Sequence, residues 1–111
     1  NTTGNENVAV GAESLEANTT GTDNTAVGYQ ALEANTTAIN NTGLGRATLK
    51  ANTTGANNTA VGYVALFTNT TGTKNTVSGS GAMLYNTTGE QNTSSGFNSM
   101  HYYQTLQVLL T

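Results

Sequence analysis

The sequence predicts an all-β fold: a stacked parallel β-roll, or β-solenoid, built from six short turns of chain. The first observation is the tripeptide Asn-Thr-Thr, which returns every 17 residues. The second is composition, because Asn, Thr and Gly recur throughout the chain and are poor helix formers. The third is length. A unit of 17 residues is too short for two packed helices, but it can hold two strands of about five residues and two turns.

Six repeat units fill residues 1–102, and a fixed short period is typical of architectures in which each unit stacks on its neighbours. The units are 1–17, 18–34, 35–51, 52–68, 69–85 and 86–102. We number positions within a unit from one to seventeen and expect each unit to form one rung. Successive rungs should then lie about 4.8 Å apart, the spacing of paired strands.

The Asn-Thr-Thr-Gly segment that begins five of the six units is predicted to be a turn, with Gly supplying a positive φ. Identical residues then form ladders along the rod, and asparagine ladders are stabilising because amides hydrogen-bond along the stack. The ladder at position one consists of Asn1, Asn18, Asn35, Asn52, Asn69 and Asn86. The ladder at position seven consists of Asn7, Asn24, Asn41, Asn58, Asn75 and Asn92.

Two strands per rung are predicted, the first over positions seven to eleven, as in Asn24–Gly28, and the second centred on Ala31 and Leu32. Position eleven is always Gly, which indicates a tight bend or a place where another backbone comes close. This column consists of Gly11, Gly28, Gly45, Gly62, Gly79 and Gly96. Position fifteen always carries Leu or Met, and we expect the stacking of the rungs to require these residue types there.

Adjacent apolar pairs point to assembly. Ala26-Val27 and Ala31-Leu32 each place two apolar side chains in succession, and successive side chains of a strand face opposite sides. Both sides then favour burial, and a thin coil buries little core on its own. The pattern therefore predicts a homo-oligomer packed around the rod axis. The alternative is that one residue of each pair sits in a bend.

The pattern weakens toward the C-terminus, where Ser78 and Ser95 replace the valines of earlier units and residues 103–111 carry no Asn-Thr-Thr. Terminal repeats of solenoids are atypical because they cover an open sheet edge. We expect residues 86–111 to be a cap or a transition to a following segment. The tail could equally begin a helix or pair as a strand.

The segments Asn24–Leu32 and Asn58–Leu66, both Asn-Thr-Ala-Val-Gly-Tyr-x-Ala-Leu, resemble the head repeats of trimeric autotransporter adhesins. Similar repeats occur in phage tail-fibre proteins. The likeness covers residues 1–102, although the family's usual unit is shorter and its turn therefore tighter. The resemblance implies a left-handed parallel β-roll with three chains per rod, acting as a spacer or adhesive head, with no catalytic residue to carry over.

Composition excludes several classes of function. The chain has no Cys, so disulfides and thiolate metal sites are absent. A net charge of −3 with three basic residues argues against nucleic-acid binding. No apolar run reaches the roughly 20 residues that span a bilayer, so direct membrane insertion is not expected. The chain begins on the first residue of a repeat, and we expect it to be a segment of a longer extracellular, cell-surface or virion protein.

Candidate catalytic and metal sites are weak, and neither an enzyme nor a cofactor is predicted. The single histidine, His101, lies in the divergent last unit, where a capping role is the simpler interpretation. Glu13 and Glu16 form a close carboxylate pair whose positions later carry other residue types, as on a solvated surface. A calcium ladder at position six is broken by Lys74. Asn-Thr-Thr also satisfies the N-glycosylation pattern, but the ladder occupies these asparagines.

Position twelve carries an aromatic residue in alternate units, namely Tyr29, Tyr63 and Phe97. Residues two rungs apart would lie about 10 Å from each other, and such a row could stack on sugar rings or pack at a subunit interface. The repeated threonines raise a rival from a different class, an ice-binding β-solenoid with a flat Thr array. Against it, Thr19 and Thr20 are adjacent and expected in a turn.

We therefore expect a non-enzymatic structural or adhesive fibre segment, a rod-like shaft or receptor-binding head. Its expected partners are copies of itself and a host-surface glycan or protein receptor.

Overall fold

A computed structural model describes residues 2–102 and shows an all-β solenoid with no helix in that part of the chain. Each rung contributes one short strand. The strands are β1 (Val8–Val10), β2 (Thr25–Val27), β3 (Thr42–Leu44), β4 (Thr59–Val61), β5 (Thr76–Ser78) and β6 (Thr93–Ser95). Asn1 and residues 103–111 lie outside the described residues. Of the predicted cap or transition over residues 86–111, the structure describes residues 86–102, which include β6.

The six strands form one parallel sheet in the order β1-β2-β3-β4-β5-β6. Each strand pairs with the next at an offset of one repeat, so that Thr25 lies beside Thr42 and Thr42 beside Thr59. The in-register stack of 17-residue rungs predicted from the period is confirmed. The molecule measures 37 × 21 × 19 Å along its principal axes.

The predicted second strand is wrong. Ala31 and Leu32 lie in a series of turns, and Leu32 has a φ of 53°, outside the range of a strand. The segment still bonds between rungs, because the Leu32 amide donates to the Thr48 carbonyl at 3.0 Å. The Gln30 amide donates to the Ala12 carbonyl of the preceding rung, also at 3.0 Å. These bonds hold the turns in a conformation that residue preferences alone would not select.

Left-handed backbone recurs at three unit positions that do not require glycine. Position six has φ values between 59° and 61°, as in Asp23 and Asn40. Positions thirteen and fifteen are left-handed as well, as in Val64 and Leu66. The predicted positive φ at the Gly of Asn-Thr-Thr-Gly is wrong, because no position-four residue is left-handed in the described rungs. The left-handed residue of this turn lies two residues later, at position six. Asn and Asp, which tolerate a left-handed backbone, occupy that position at Asp23 and Asn40.

The core contains one column of large side chains and two columns of mostly small ones. Leu32, Leu49, Leu66 and Met83 at position fifteen are fully buried. Beside them, positions nine and fourteen carry small residues such as Ala26 and Ala31. Of the two apolar pairs, Ala26-Val27 has one side chain inside and one outside, whereas Ala31-Leu32 is buried entirely because it lies in a bend.

Candidate functional site

The asparagines at position one form a continuous amide ladder inside the rod. From Asn35 onward, each Nδ2 donates to Oδ1 of the asparagine one rung earlier, at 2.9 Å from Asn35 to Asn18 and 2.7 Å from Asn86 to Asn69. The same Nδ2 donates to the carbonyl at position four of its own rung, 2.9 Å away between Asn52 and Gly55. These asparagines are buried, which leaves no room for a glycan on them.

The asparagines at position seven form a second ladder with different bonding. Oδ1 of each accepts the backbone amide of the next, as between Asn41 and Asn58 at 2.9 Å. Nδ2 of Asn41 reaches the carbonyl of Gly55 in the next rung at 2.8 Å. Both ladders therefore converge on the same carbonyl, since Asn52 also donates to Gly55. This shared acceptor requires an amide at both positions, which accounts for two invariant asparagines per rung.

The threonines that follow the first asparagine bond the turns together. The backbone amides of Thr53, Thr54 and Gly55 all point at the Thr70 carbonyl, at 3.1 to 3.3 Å. The Thr53 hydroxyl donates to that carbonyl as well, at 3.3 Å. Four donors therefore point at one carbonyl. Because one of them is the side-chain hydroxyl at position two, Thr at that position is a structural requirement.

The glycines at position eleven meet two demands at once. Gly62 has a φ of 127°, where side chains are strained, and a Cβ there would lie 2.7 Å from the carbonyl carbon of Gly79. The sequence predicted either a tight bend or a close approach of another backbone at this position, and both are present. Gly96, in the last described rung, has a similar φ of 120°, and among the described residues only the Ser99 Cβ lies nearby, at 3.9 Å.

The outer face of the sheet carries two columns of side chains. Position ten presents Val10, Val27, Leu44 and Val61, followed by serines in the last two rungs. Position eight presents a column of threonines outside the core: Thr25, Thr42, Thr59, Thr76 and Thr93. Reasoning from sequence considered the turn threonines and missed this column. The available signal was Thr one residue after the second invariant asparagine in five units.

The aromatic row at position twelve is held together by a cation. The Arg46 guanidinium lies 5.4 Å from the centre of the Tyr29 ring and 5.8 Å from that of Tyr63. An arginine between two tyrosine faces gives a cation–π interaction on each side. Ser80 separates Tyr63 from Phe97, whose side chain is 78% exposed. The row is thus a continuous Tyr-Arg-Tyr stack with an isolated Phe beyond it.

Carboxylates gather at one place on the surface. The side chains of Glu13, Glu16 and Glu33 approach within 4.8 Å of one another. Gln30 donates to Glu13 at 2.7 Å, and Lys50 lies 3.9 Å from Glu33. Glu33 thus joins the pair Glu13 and Glu16 that the sequence indicated. Two of the three carboxylates already have partners, because the Gln30 amide donates to Glu13 and the Lys50 ammonium lies near Glu33. Solvent-exposed acidic groups of this kind are common without a bound ion.

His101 lies over the last rungs in an aromatic cluster. Its Nδ1 is 2.8 Å from the Gly81 carbonyl, and its ring meets those of Tyr85 and Tyr102 edge-on. Tyr85 and Tyr102 are themselves stacked, with ring centres 5.5 Å apart. The histidine is therefore held by packing and by a backbone carbonyl.

Comparison with models of protein families, with curated proteins and with solved structures found no match to this chain. Among residues 2–102, no helix has the length and apolar character that a membrane span needs. The case for a function therefore rests on the residues themselves.

Proposed function

We propose that this chain is a non-enzymatic rod segment of a surface fibre, a shaft or adhesive head that works as a homotrimer on a cell or virion. The observation that carries the proposal is the apolar column on the outer face of the sheet. Val27, Leu44 and Val61 are 37%, 36% and 39% exposed although they lie beside one another in register. A contiguous apolar stripe on a soluble surface is typical of an interaction site.

Self-association suits this stripe because the rod is a repeat. Three rods side by side would place the same column of each against the others, and every rung would add the same contact. The stripe ends where Ser78 and Ser95 take over, so contact would be tightest over the first four rungs. The resemblance to trimeric adhesin heads and tail-fibre repeats supports the same assembly.

The test is the solution mass, measured by light scattering on a sizing column. The expected result is about three times the chain mass of 11.4 kDa. Leu44→Glu should give a folded monomer, because a charge would be buried in the interface. Ile39→Glu is the matched control, since Ile39 is 41% exposed but lies at position five, away from the column. A wild-type monomer at all concentrations would contradict the proposal.

A second function is favoured by the threonine column. Five threonines at position eight lie in register at strand spacing beside the apolar residues of position ten. A flat, regular array of hydroxyls and methyls of this kind can order water, as an ice-binding face requires. This face must stay open to solvent, whereas a trimer would cover it, so the two functions exclude each other.

Ice binding is tested by the inhibition of ice recrystallisation. A monomer that inhibits recrystallisation, and loses this activity in Thr59→Tyr but not in Thr54→Tyr, would favour the ice-binding solenoid. Thr54 is the control because it is exposed in the turn and lies off the flat face. A trimer without the activity would favour the fibre segment.

A further inference from the structure

A groove of about 360 Å³ opens on the side of rungs four and five. It is lined by Tyr63, Val64, Phe67, Thr68, Leu84 and Tyr85. This volume falls within the roughly 300–1,000 Å³ of small-molecule sites. Three of the six lining residues are aromatic, and two of these are tyrosines with a polar tip. The groove is thus a concave apolar surface with hydroxyl groups at its margin.

The groove exists because the repeat is broken at positions sixteen and seventeen. Rungs two and three carry Glu33-Ala34 and Lys50-Ala51 there, whereas rungs four and five carry Phe67-Thr68 and Leu84-Tyr85. Both versions keep the same backbone bonds: the Ala34 amide donates to Lys50 at 3.0 Å and the Thr68 amide to Leu84 at 3.1 Å. Stacking therefore does not need the large apolar residues, which points to a separate purpose.

Positive charge borders the groove on the side of rung three. Arg46 lies 5.8 Å from the Tyr63 ring and Lys50 lies 5.7 Å from the Phe67 ring. These are two of the three basic residues in a chain of net charge −3. Glu33, 3.9 Å from Lys50, offsets part of this charge, but none of the six lining residues is acidic. This margin of the groove therefore attracts an anion mainly through Arg46, because Lys50 is shared with Glu33 and the two carboxylates beside it.

We propose that this groove binds an acidic saccharide. The sugar ring would lie on the faces of Tyr63, Phe67 and Tyr85, since aromatic rings offer sugars an apolar face. Its carboxylate or sulfate would point toward Arg46 and Lys50. The stack of Tyr85 on Tyr102 extends the aromatic surface along the rod, as a polymer of such sugars would require. The inference deepens the adhesive role proposed above and rests on it.

Affinity electrophoresis tests the site with three polymers in the native gel: polygalacturonate, dextran sulfate and neutral dextran. Because the protein is itself acidic, with a pI near 4.7, general charge attraction cannot retard it. We expect retardation by polygalacturonate or dextran sulfate and none by neutral dextran. A carboxylated and a sulfated polymer together distinguish the two kinds of acidic sugar.

Two pairs of variants locate the binding. Phe67→Ala and Lys50→Gln should each raise the dissociation constant for the retarding polymer about tenfold, as expected when one stacking or charge interaction is removed. Phe97→Ala and Lys74→Gln are the matched controls and should bind like the wild type. Phe97 is exposed at position twelve of rung six, outside the Tyr29–Arg46–Tyr63 stack, and Lys74 lies in a turn at position six. Circular dichroism must show that all four variants keep the fold.

Several outcomes would overturn the site. One is wild-type protein that neither acidic polymer retards. Another is equal retardation by neutral dextran. A third is loss of binding in Phe97→Ala as severe as in Phe67→Ala, which would move binding to the aromatic row. The mass measurement separates this proposal from the previous one: a trimer that binds no acidic polymer contradicts the groove alone, and a monomer that binds one contradicts the trimer alone.

Discussion

Thr48 fills the space that Gly43 leaves empty. A Cβ built on Gly43 would lie 2.8 Å from Oγ1 of Thr48, so the two side chains could not both be larger. The same two positions carry Ala26 and Ala31 in the preceding rung, both fully buried. Positions nine and fourteen therefore face each other across the core, and a smaller side chain on one side is matched by a larger one on the other.

This relationship predicts a compensating pair of substitutions. Gly43→Ala should lower the free energy of unfolding by about 1–3 kcal/mol, because it overpacks the site against Thr48. The double variant Gly43→Ala with Thr48→Ala recreates the pair of rung two and should recover most of that loss. Urea unfolding of the wild type, both single variants and the double variant measures the coupling, expected at about 1 kcal/mol or more. Additive effects would show that the positions do not share space.

The buried amide ladders should be more sensitive than any surface polar residue. Oδ1 of Asn58 accepts the Asn75 backbone amide at 3.0 Å, and its Nδ2 donates to Gly72 at 2.9 Å. Asn58→Ala leaves the buried Asn75 amide without its acceptor and the Gly72 carbonyl with only the bond from Asn69. We therefore expect a loss of at least about 2 kcal/mol in unfolding free energy. Thr54→Ala, at an exposed turn position, should change it by less than about 0.5 kcal/mol. Similar losses in the two variants would contradict a stabilising ladder.

The period of the sequence was enough to predict the stacked rungs, because an in-register solenoid repeats whatever its rung requires. The second strand could not be predicted in the same way. Ala31 and Leu32 read as strand residues, yet the bond from the Leu32 amide to Thr48 holds Leu32 at a φ of 53°. That bond joins residues a full rung apart and has no local signal.

The candidate surfaces were predictable only in part. The Tyr29–Tyr63 row could be read from one unit position, and the structure adds Arg46 between its rings. The groove could not be predicted from the sequence, because its residues come from four unit positions in two rungs. Only the turns after position eleven bring these residues together. The threonine column was missed because the turn threonines are more numerous in each unit.

The close approach at position eleven can be separated from backbone strain by comparing two glycines. Gly62→Ala introduces both, whereas Gly96→Ala at a similar φ introduces the strain without a clash against any of the described residues. We expect Gly62→Ala to be the more destabilising by about 1–3 kcal/mol in thermal or urea unfolding, as for other overpacked sites. Gly62→Val should be worse still, because branching at Cβ adds a second clash. Equal effects at the two sites would mean that φ alone requires glycine.

Val64 and Val61 should respond in opposite directions to the same substitution. Val64 has a φ of 51°, a conformation that disfavours β-branched residues and that Asn tolerates. Asn98 already occupies the equivalent position in rung six, with a φ of 53°. Val64→Asn should therefore raise the free energy of unfolding by about 0.5–1 kcal/mol, because relief of the backbone strain should outweigh the weaker apolar packing of Asn.

Val61 lies in β4, where a β-branched side chain is favoured and Asn is not. Val61→Asn should thus lower the unfolding free energy by up to about 1 kcal/mol even in a monomer. Urea unfolding of both variants under conditions that keep the chain monomeric provides the measurement. If Val64→Asn destabilised the rod as much as Val61→Asn does, left-handed backbone at position thirteen would carry no strain, and the bonds between rungs would alone explain its recurrence.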